Sequence, residues 1–418
     1  MSDSPGYVDP LHYEELRLFV EEICDHIFRF ECVEKFGIEP QDVDIDQEVY
    51  LGGPGAFADI RVQAQNQPTT FIEVKYGYDS ERLVSSLTRK YGEETPGSKQ
   101  GARVVLVADT HRHADWPSIE SRIREQLRPN LHLEVWNEEL LISRISERFP
   151  IRITSFEDRP VRELRGIVDK AFGHYAFGDD YRPDDIHTTL IWHFGYWRVR
   201  RMLERGFIGN GKLVDVGRHK NIAVMLADLS NFSSFVRDTP DDHVVRGCLA
   251  NFYAKARHQI INSGGMLYQF LGDAVIALFG LTDPDSNHLD DAMDCAEAMV
   301  EIGSSVCDLW QRQIDRVQRS GGSHIGMAIG NLQVVQLQPF SPTRISAIGD
   351  AINITARLLE EAGPGEIVAS NSLVQRLSPH WQGQFRELSP IEARNMGLIK
   401  TWKLPLGRNR NLPGSHYQ

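Results

Sequence analysis

The stretch MLYQFLGDAVIALFG, residues 266–280, brings two apolar runs together at a two-residue Gly272-Asp273 turn. That pattern is a strong short-range signal of a β-hairpin. The flanking sequence continues the alternation. A strand is predicted over 221–227, a helix over 241–262, the hairpin over 265–279 and a helix over 289–317. Two strands follow at 323–329 and 332–338, then a helix at 350–362 and a strand-rich tail to about 408. This order predicts a helix pair on one side of a mixed sheet.

The first third has its own order. Residues 11–36 space apolar side chains as a helix does; three short strands with polar or glycine turns follow, up to TFIEVKYG. A helix near 81–92, a strand at 103–109, a helix at 116–126, the strand LHLEVWN and a last helix, ELLISRISERF, complete an α–βββ–α–β–α–β–α series. The fold class is therefore α/β (α+β), with one domain at 1–150, a helical connector at 151–217 and a second domain at 218–408. The net charge of −13 argues against a generally basic nucleic-acid-coating protein. Cysteines 24, 32, 248, 295 and 307 form no C-x-x-C pair, which suits a reducing compartment. The first residues, MSDSPGYVDP, lack the regions of a signal peptide, and no apolar run approaches the roughly 20 residues of a membrane span. The expectation is a cytoplasmic protein without a membrane partner.

Chemistry gathers at the predicted strand ends. The apolar run before LADLSNFSSF ends on Asp228, and the hairpin turn carries Asp273. Placed on neighbouring strands, two carboxylates would repel each other at one sheet edge, and divalent cations would relieve that cost. The segment SAIGDAINITARLLEEAG adds Asn353 and Arg357 at i and i+4 on one helix face. Arginine suits bidentate phosphate contact, and an asparagine amide can bond a sugar or phosphate.

In this order the three segments resemble the class III nucleotidyl cyclase catalytic domain, over roughly residues 218–405. The resemblance implies a ferredoxin-like palm. It places Asp228, Leu229 and Asp273 at the positions that hold two divalent cations, Mn2+ or Mg2+. Phe232 and Ser233 fall where backbone amides cover the triphosphate, and Arg394, in IEARNMGLIKTWKL, falls where a triphosphate-binding lysine normally sits. Asn353 and Arg357 fall on the residues that orient the ribose and stabilise the transition state. Because the family supplies metal and transition-state residues from different protomers, a homodimer is implied. The implied reaction converts a ribonucleoside triphosphate to a 3′,5′-cyclic nucleotide and diphosphate. At the base-reading positions stand Gln269 and Ser346, where adenylate cyclases have Lys with Asp or Thr and guanylate cyclases have Glu and Cys. This departure is most similar to the pyrimidine cyclases of Pycsar antiphage systems. The implied product is cyclic UMP or cyclic CMP, which a cyclic-nucleotide-sensing effector would read. An ordinary adenylate or guanylate cyclase is the alternative.

In FADIRVQAQNQPTTFIEVKYG, Asp59 lies on one predicted strand and Glu73 and Lys75 share a face of the next. The trio resembles the core of restriction-endonuclease-like domains, in which the carboxylates hold Mg2+. Two roles follow from that resemblance: a nuclease fused to a cyclase-like module, or a sensor of nucleic acid or another phage-derived signal. Lys90, Lys99 and Arg103 are candidates to extend a basic face, and His111 and His113 are expected in a solvated loop.

Overall fold

The computed structural model describes residues 10–52, 56–64, 67–92, 95, 99, 101–177, 186–204, 216–239, 241–282, 287–314, 321–337, 341–393 and 397–406. The chain divides into two units, Met1–Arg182 and Pro183–Gln418. The expected connector, 151–217, is therefore divided between them.

The first unit runs α1 (Pro10–Phe36), β1 (Asp44–Tyr50), β2 (Phe57–Gln63), β3 (Thr69–Lys75), α2 (Ser80–Tyr91), β4 (Gly101–Ala108), α3 (Trp116–Gln126), β5 (His132–Trp136), α4 (Glu138–Arg148) and α5 (Val161–Phe177). Its five strands lie in the order β1-β2-β3-β4-β5. The first three pair antiparallel, and β3, β4 and β5 pair parallel. Alternation along β3 and β4 sends Ile72, Val74, Val105 and Val107 into a core with α1, α4 and α5. Phe71, Val104 and Leu106 go to the opposite core, with Leu83, Leu87 and Tyr91 of α2 and Ile119 and Ile123 of α3. The sheet is thus covered by helices on both faces. At the start of α2, the Asp79 carboxylate accepts from the Arg82 N–H at 2.8 Å. Such a cap contributes about 1 kcal/mol and sets where the helix begins.

The second unit runs α6 (Ile186–Phe194), α7 (Tyr196–Glu204), β6 (Gly217–Leu229), α8 (Phe232–Asp238), α9 (Asp242–Asn262), β7 (Met266–Leu271), β8 (Ala274–Phe279), α10 (His288–Ile314), β9 (Ser323–Leu337), β10 (Ser341–Ile348), α11 (Asp350–Glu360), β11 (Glu366–Ser370), α12 (Asn371–Val374), α13 (Pro379–Gln382), β12 (Arg386–Ala393) and β13 (Gly397–Pro405). The sheet order is β12-β13-β11-β9-β6-β8-β7, with β10 also on β9. Its centre, β9-β6-β8-β7, is antiparallel throughout and built by a β-α-β-β-α-β chain path, the ferredoxin-like arrangement. Helices α9 and α10 pack together on one face. The other face is covered too: Ile222, Val224 and Leu226 of β6 share a core with Leu190 and Phe194 of α6, Val199 and Met202 of α7 and Ala351 of α11.

The two strands expected at 323–329 and 332–338 run as one, β9. Gly330 makes no turn there. A Cβ at that position would lie 2.9 Å from the Ala351 Cβ, so glycine lets α11 settle on the strand.

Candidate active site

Strand β6 extends through Leu229, so Asp228 sits on its last turn of pairing rather than beyond it. Across the sheet Asp228 faces Ala274, the residue after Asp273, and the Leu229 N–H donates to the Asp273 carbonyl at 3.3 Å. The hairpin therefore brings both carboxylates to one edge. Gly272 adopts φ +61, a left-handed conformation that glycine enters without steric cost. The Tyr253 hydroxyl donates to the Gly272 carbonyl and pins the turn. The Leu229 side chain is buried, leaving only its backbone to face a ligand.

The pair is not neutralised. Oδ1 of Asp228 is buried with no hydrogen-bond partner among the described residues. Burial first, and then the Asp273 charge, push the Asp228 carboxyl up to about 7. Its other oxygen lies 3.6 Å from Nε2 of His324, which faces Asp228 on β9. The opposite ring nitrogen of His324 is 3.0 Å from the Ser230 hydroxyl, an arrangement that aims the imidazole at the carboxylate. A buried orphan oxygen beside a second carboxylate is a donor set suited to a hard divalent cation, so the residues present fit the implied metals. No cluster of three or more His, Cys, Asp or Glu suited to a metal occurs among the described residues. Any further ligands would be backbone carbonyls, solvent or phosphate oxygens.

Beyond Asp228 the chain turns through Asn231 at φ +63, an αL conformation asparagine tolerates. It then enters α8. Phe232 and Ser233 open α8, and Phe232 and Phe235 pack on Trp310, at centroid distances of 6.0 and 4.4 Å. The first N–H groups of a helix lack intrahelical acceptors, so this helix start, four residues from Asp228, can donate to an anion.

Asn353 and Arg357 are both exposed on one face of α11, whose Ala351, Thr355 and Leu358 are buried. Arg357 pairs with Glu360 of its own helix at 2.9 Å. Gln269 is exposed on β7 and Ser346 is half-buried on β10. These strands are not sheet neighbours, yet the Ala347 N–H donates to the Tyr268 hydroxyl at 3.0 Å. Tyr268 is the extra residue of a β-bulge between Leu267 and Gln269, which is what turns it toward β10. Tyr268 and His324 were not singled out from sequence. A tyrosine in an apolar strand reads as core, and only the register reveals the bulge. Arg394 lies outside the described residues.

In the first unit Asp59, Glu73 and Lys75 do meet, but in a different state. Glu73 and Lys75 lie on the α2 side of β3, and all three are buried. Lys75 pairs with Asp59, and with Glu73 at 2.7 Å. Lys90, from the last turn of α2, is buried and pairs with Glu73 at 2.6 Å and Asp59 at 3.4 Å. It therefore extends no basic face. Arg103 is tied to Glu134 at 2.5 Å, and Lys99 is exposed. His111 is exposed, and His113 packs on Trp116.

Residues 214–405 match the family model of the adenylate and guanylate cyclase catalytic domain. The matched segment lies within the second unit. Proteins similar to this chain include an uncharacterised protein of Mycobacterium tuberculosis, 26% identical over 171 residues, 40% of this chain and 30% of the relative. Adenylate cyclase 1 of Rhizobium meliloti is 21% identical over 220 residues, 51% of this chain and 31% of the relative. The chain thus spans about 30% of the length of these curated relatives. Among solved structures, the adenylyl cyclase CyaB from P. aeruginosa is 18% identical with a TM-score of 0.38, covering 48% of this chain and all of that one. All five cysteines are free and buried. No helix among the described residues is long and apolar enough to cross a membrane.

Proposed function

We propose that this protein is a nucleotidyl cyclase that turns UTP or CTP into the 3′,5′-cyclic monophosphate and diphosphate. The observation that carries the reading is the unneutralised Asp228/Asp273 pair, with its orphan oxygen, at the sheet edge beside the first turn of α8. Bound divalent cations would lower the pKa of the ribose 3′-hydroxyl and steady the leaving diphosphate. Asp228, Asp273 and the Leu229 backbone would hold them. The amides opening α8 would receive the phosphates, with Arg394 adding charge. Arg357 would stabilise the reacting phosphoryl oxygens, and Asn353 would fix the ribose in a near-attack pose. The exposure of both residues on α11 supports a homodimer in which each copy completes its partner's site.

The pyrimidine reading rests on Gln269 and Ser346, which keep neither purine code, and on the strands carrying them being tied together by Tyr268. That tie would narrow the space open to a base and favour one ring over two. In this reading the product is the second messenger of a cytoplasmic antiphage response, read by a cyclic-nucleotide-sensing effector. The first unit, a restriction-endonuclease-like module, receives a nucleic-acid or phage-derived signal.

Initial rates with the four ribonucleoside triphosphates and Mn2+ test the base. UTP or CTP should be cyclised at least about tenfold faster than ATP or GTP, because buried unpaired donors and acceptors discriminate strongly. Gln269→Ala should narrow that ratio more than it weakens triphosphate binding. A wild-type preference for ATP or GTP would put a purine cyclase in its place.

A further inference from the structure

The acidic pocket of the first unit already contains its cation. All four carboxylate oxygens of Asp59 and Glu73 are engaged. Oδ2 of Asp59 accepts from the Val74 N–H at 2.7 Å and from Lys75. Its Oδ1 lies 3.4 Å from the Lys90 ammonium. Glu73 accepts from the Tyr91 hydroxyl at 2.5 Å through Oε1, and from Lys90 at 2.6 Å through Oε2. Two carboxylates thus face two ammonium groups in a site where Glu73 has no exposed surface and Lys90 is 5% exposed. Burial disfavours the Asp59 charge, but Lys75, Lys90 and Arg17 outweigh it and hold the carboxyl below its usual range. A divalent ion entering here would have to displace a buried ammonium from the two carboxylates.

We propose that Lys90 occupies the place between Asp59 and Glu73 that a divalent cation would need, so that the first unit does not cleave phosphodiester bonds. Helix α2 sets this arrangement. Its Asp79 cap fixes the register, and the last turn delivers Lys90 and Tyr91 side by side onto Glu73. The inference rests on the side-chain network itself, so it stands or falls separately from the cyclase reading.

The test uses the full chain with Asp228 and Asp273 both changed to Ala, which removes the cation site of the second unit. Titrated calorimetrically with Mn2+, this protein should bind none at the first unit. The wild-type chain should not nick supercoiled plasmid in Mn2+. Adding Lys90→Ala should create one Mn2+ site, which a further Glu73→Ala change abolishes. Mn2+ binding or plasmid cleavage that requires Glu73 while Lys90 is present would overturn the proposal. A folded Lys90→Ala protein that takes up no Mn2+ would do the same. Should that variant not fold, the two measurements with Lys90 in place decide the matter.

Discussion

Two pairs of carboxylates, one in each unit, are brought together by neighbouring strands and differ in what neutralises them. Asp59 and Glu73 are buried and satisfied by Lys75, Lys90, Tyr91 and a backbone amide, all from the same chain. Asp228 and Asp273 lie at neighbouring strand ends, where Asp228 has a buried orphan oxygen and a pKa pushed up to about 7 by burial and the Asp273 charge. The first pair is a finished structural network. The second leaves an oxygen without a partner among the described residues, and a proton or a cation would relieve its repulsion. Similar residues on similar strands thus diverge in function, because a buried charge is tolerated only when it is paired.

The sharpest way to break the comparison is to ask whether the second pair is completed by another copy. Asp228→Ala and Arg357→Ala proteins should each be nearly inactive alone. Mixed, they form heterodimers in which one site carries both lesions and the other carries neither, so cyclase activity should return. Verified heterodimers without activity would show that the sites are not shared.

Stability separates the pairs next. Glu73→Ala leaves two buried ammonium groups to share Asp59 alone and should cost about 3–5 kcal/mol in urea unfolding of the first unit. Asp273→Ala removes a repelling charge and should leave the metal-free second unit unchanged, or more stable by up to about 1 kcal/mol. Equal losses would erase the distinction.

A smaller effect follows from pH. The carboxyl of Asp228 has a folded pKa of about 7 against an unfolded value near 3.8, so the folded chain binds the extra proton between those values. The metal-free second unit should therefore lose stability as pH rises through that window. Cations bind the deprotonated form, so Mn2+ should raise the melting temperature by more degrees at pH 8 than at pH 5.5. A larger Mn2+ effect at pH 5.5 would contradict the repelling-pair account.

Much of this was legible because it is local. Period-two alternation places Glu73 beside Lys75, the Gly272-Asp273 turn announces its hairpin, and an i, i+4 spacing puts Asn353 and Arg357 on one face. What was hidden depends on packing between elements distant in sequence. Lys90 reads as a surface cation of an amphipathic helix, and only the docking of α2 on β3 shows it buried. Gly330-Asn331 reads as a turn, although that glycine serves α11. The helical stretch around 160–204 looks like a connector because its apolar faces do not reveal which core receives them. In the structure, α5 joins the first unit's core and α6 and α7 join the second's.

The central claim is that the open carboxylate pair, and not the closed one, supports chemistry on a triphosphate. The most direct measurement is the mass-identified product from the wild-type and Asp273→Ala chains, each incubated with the four ribonucleoside triphosphates and Mn2+. The wild-type chain should yield a cyclic pyrimidine nucleotide, and Asp273→Ala should yield at least about a thousandfold less, since several kcal/mol of transition-state stabilisation are lost. No cyclic product from any triphosphate, or near-normal turnover by Asp273→Ala, would contradict the account.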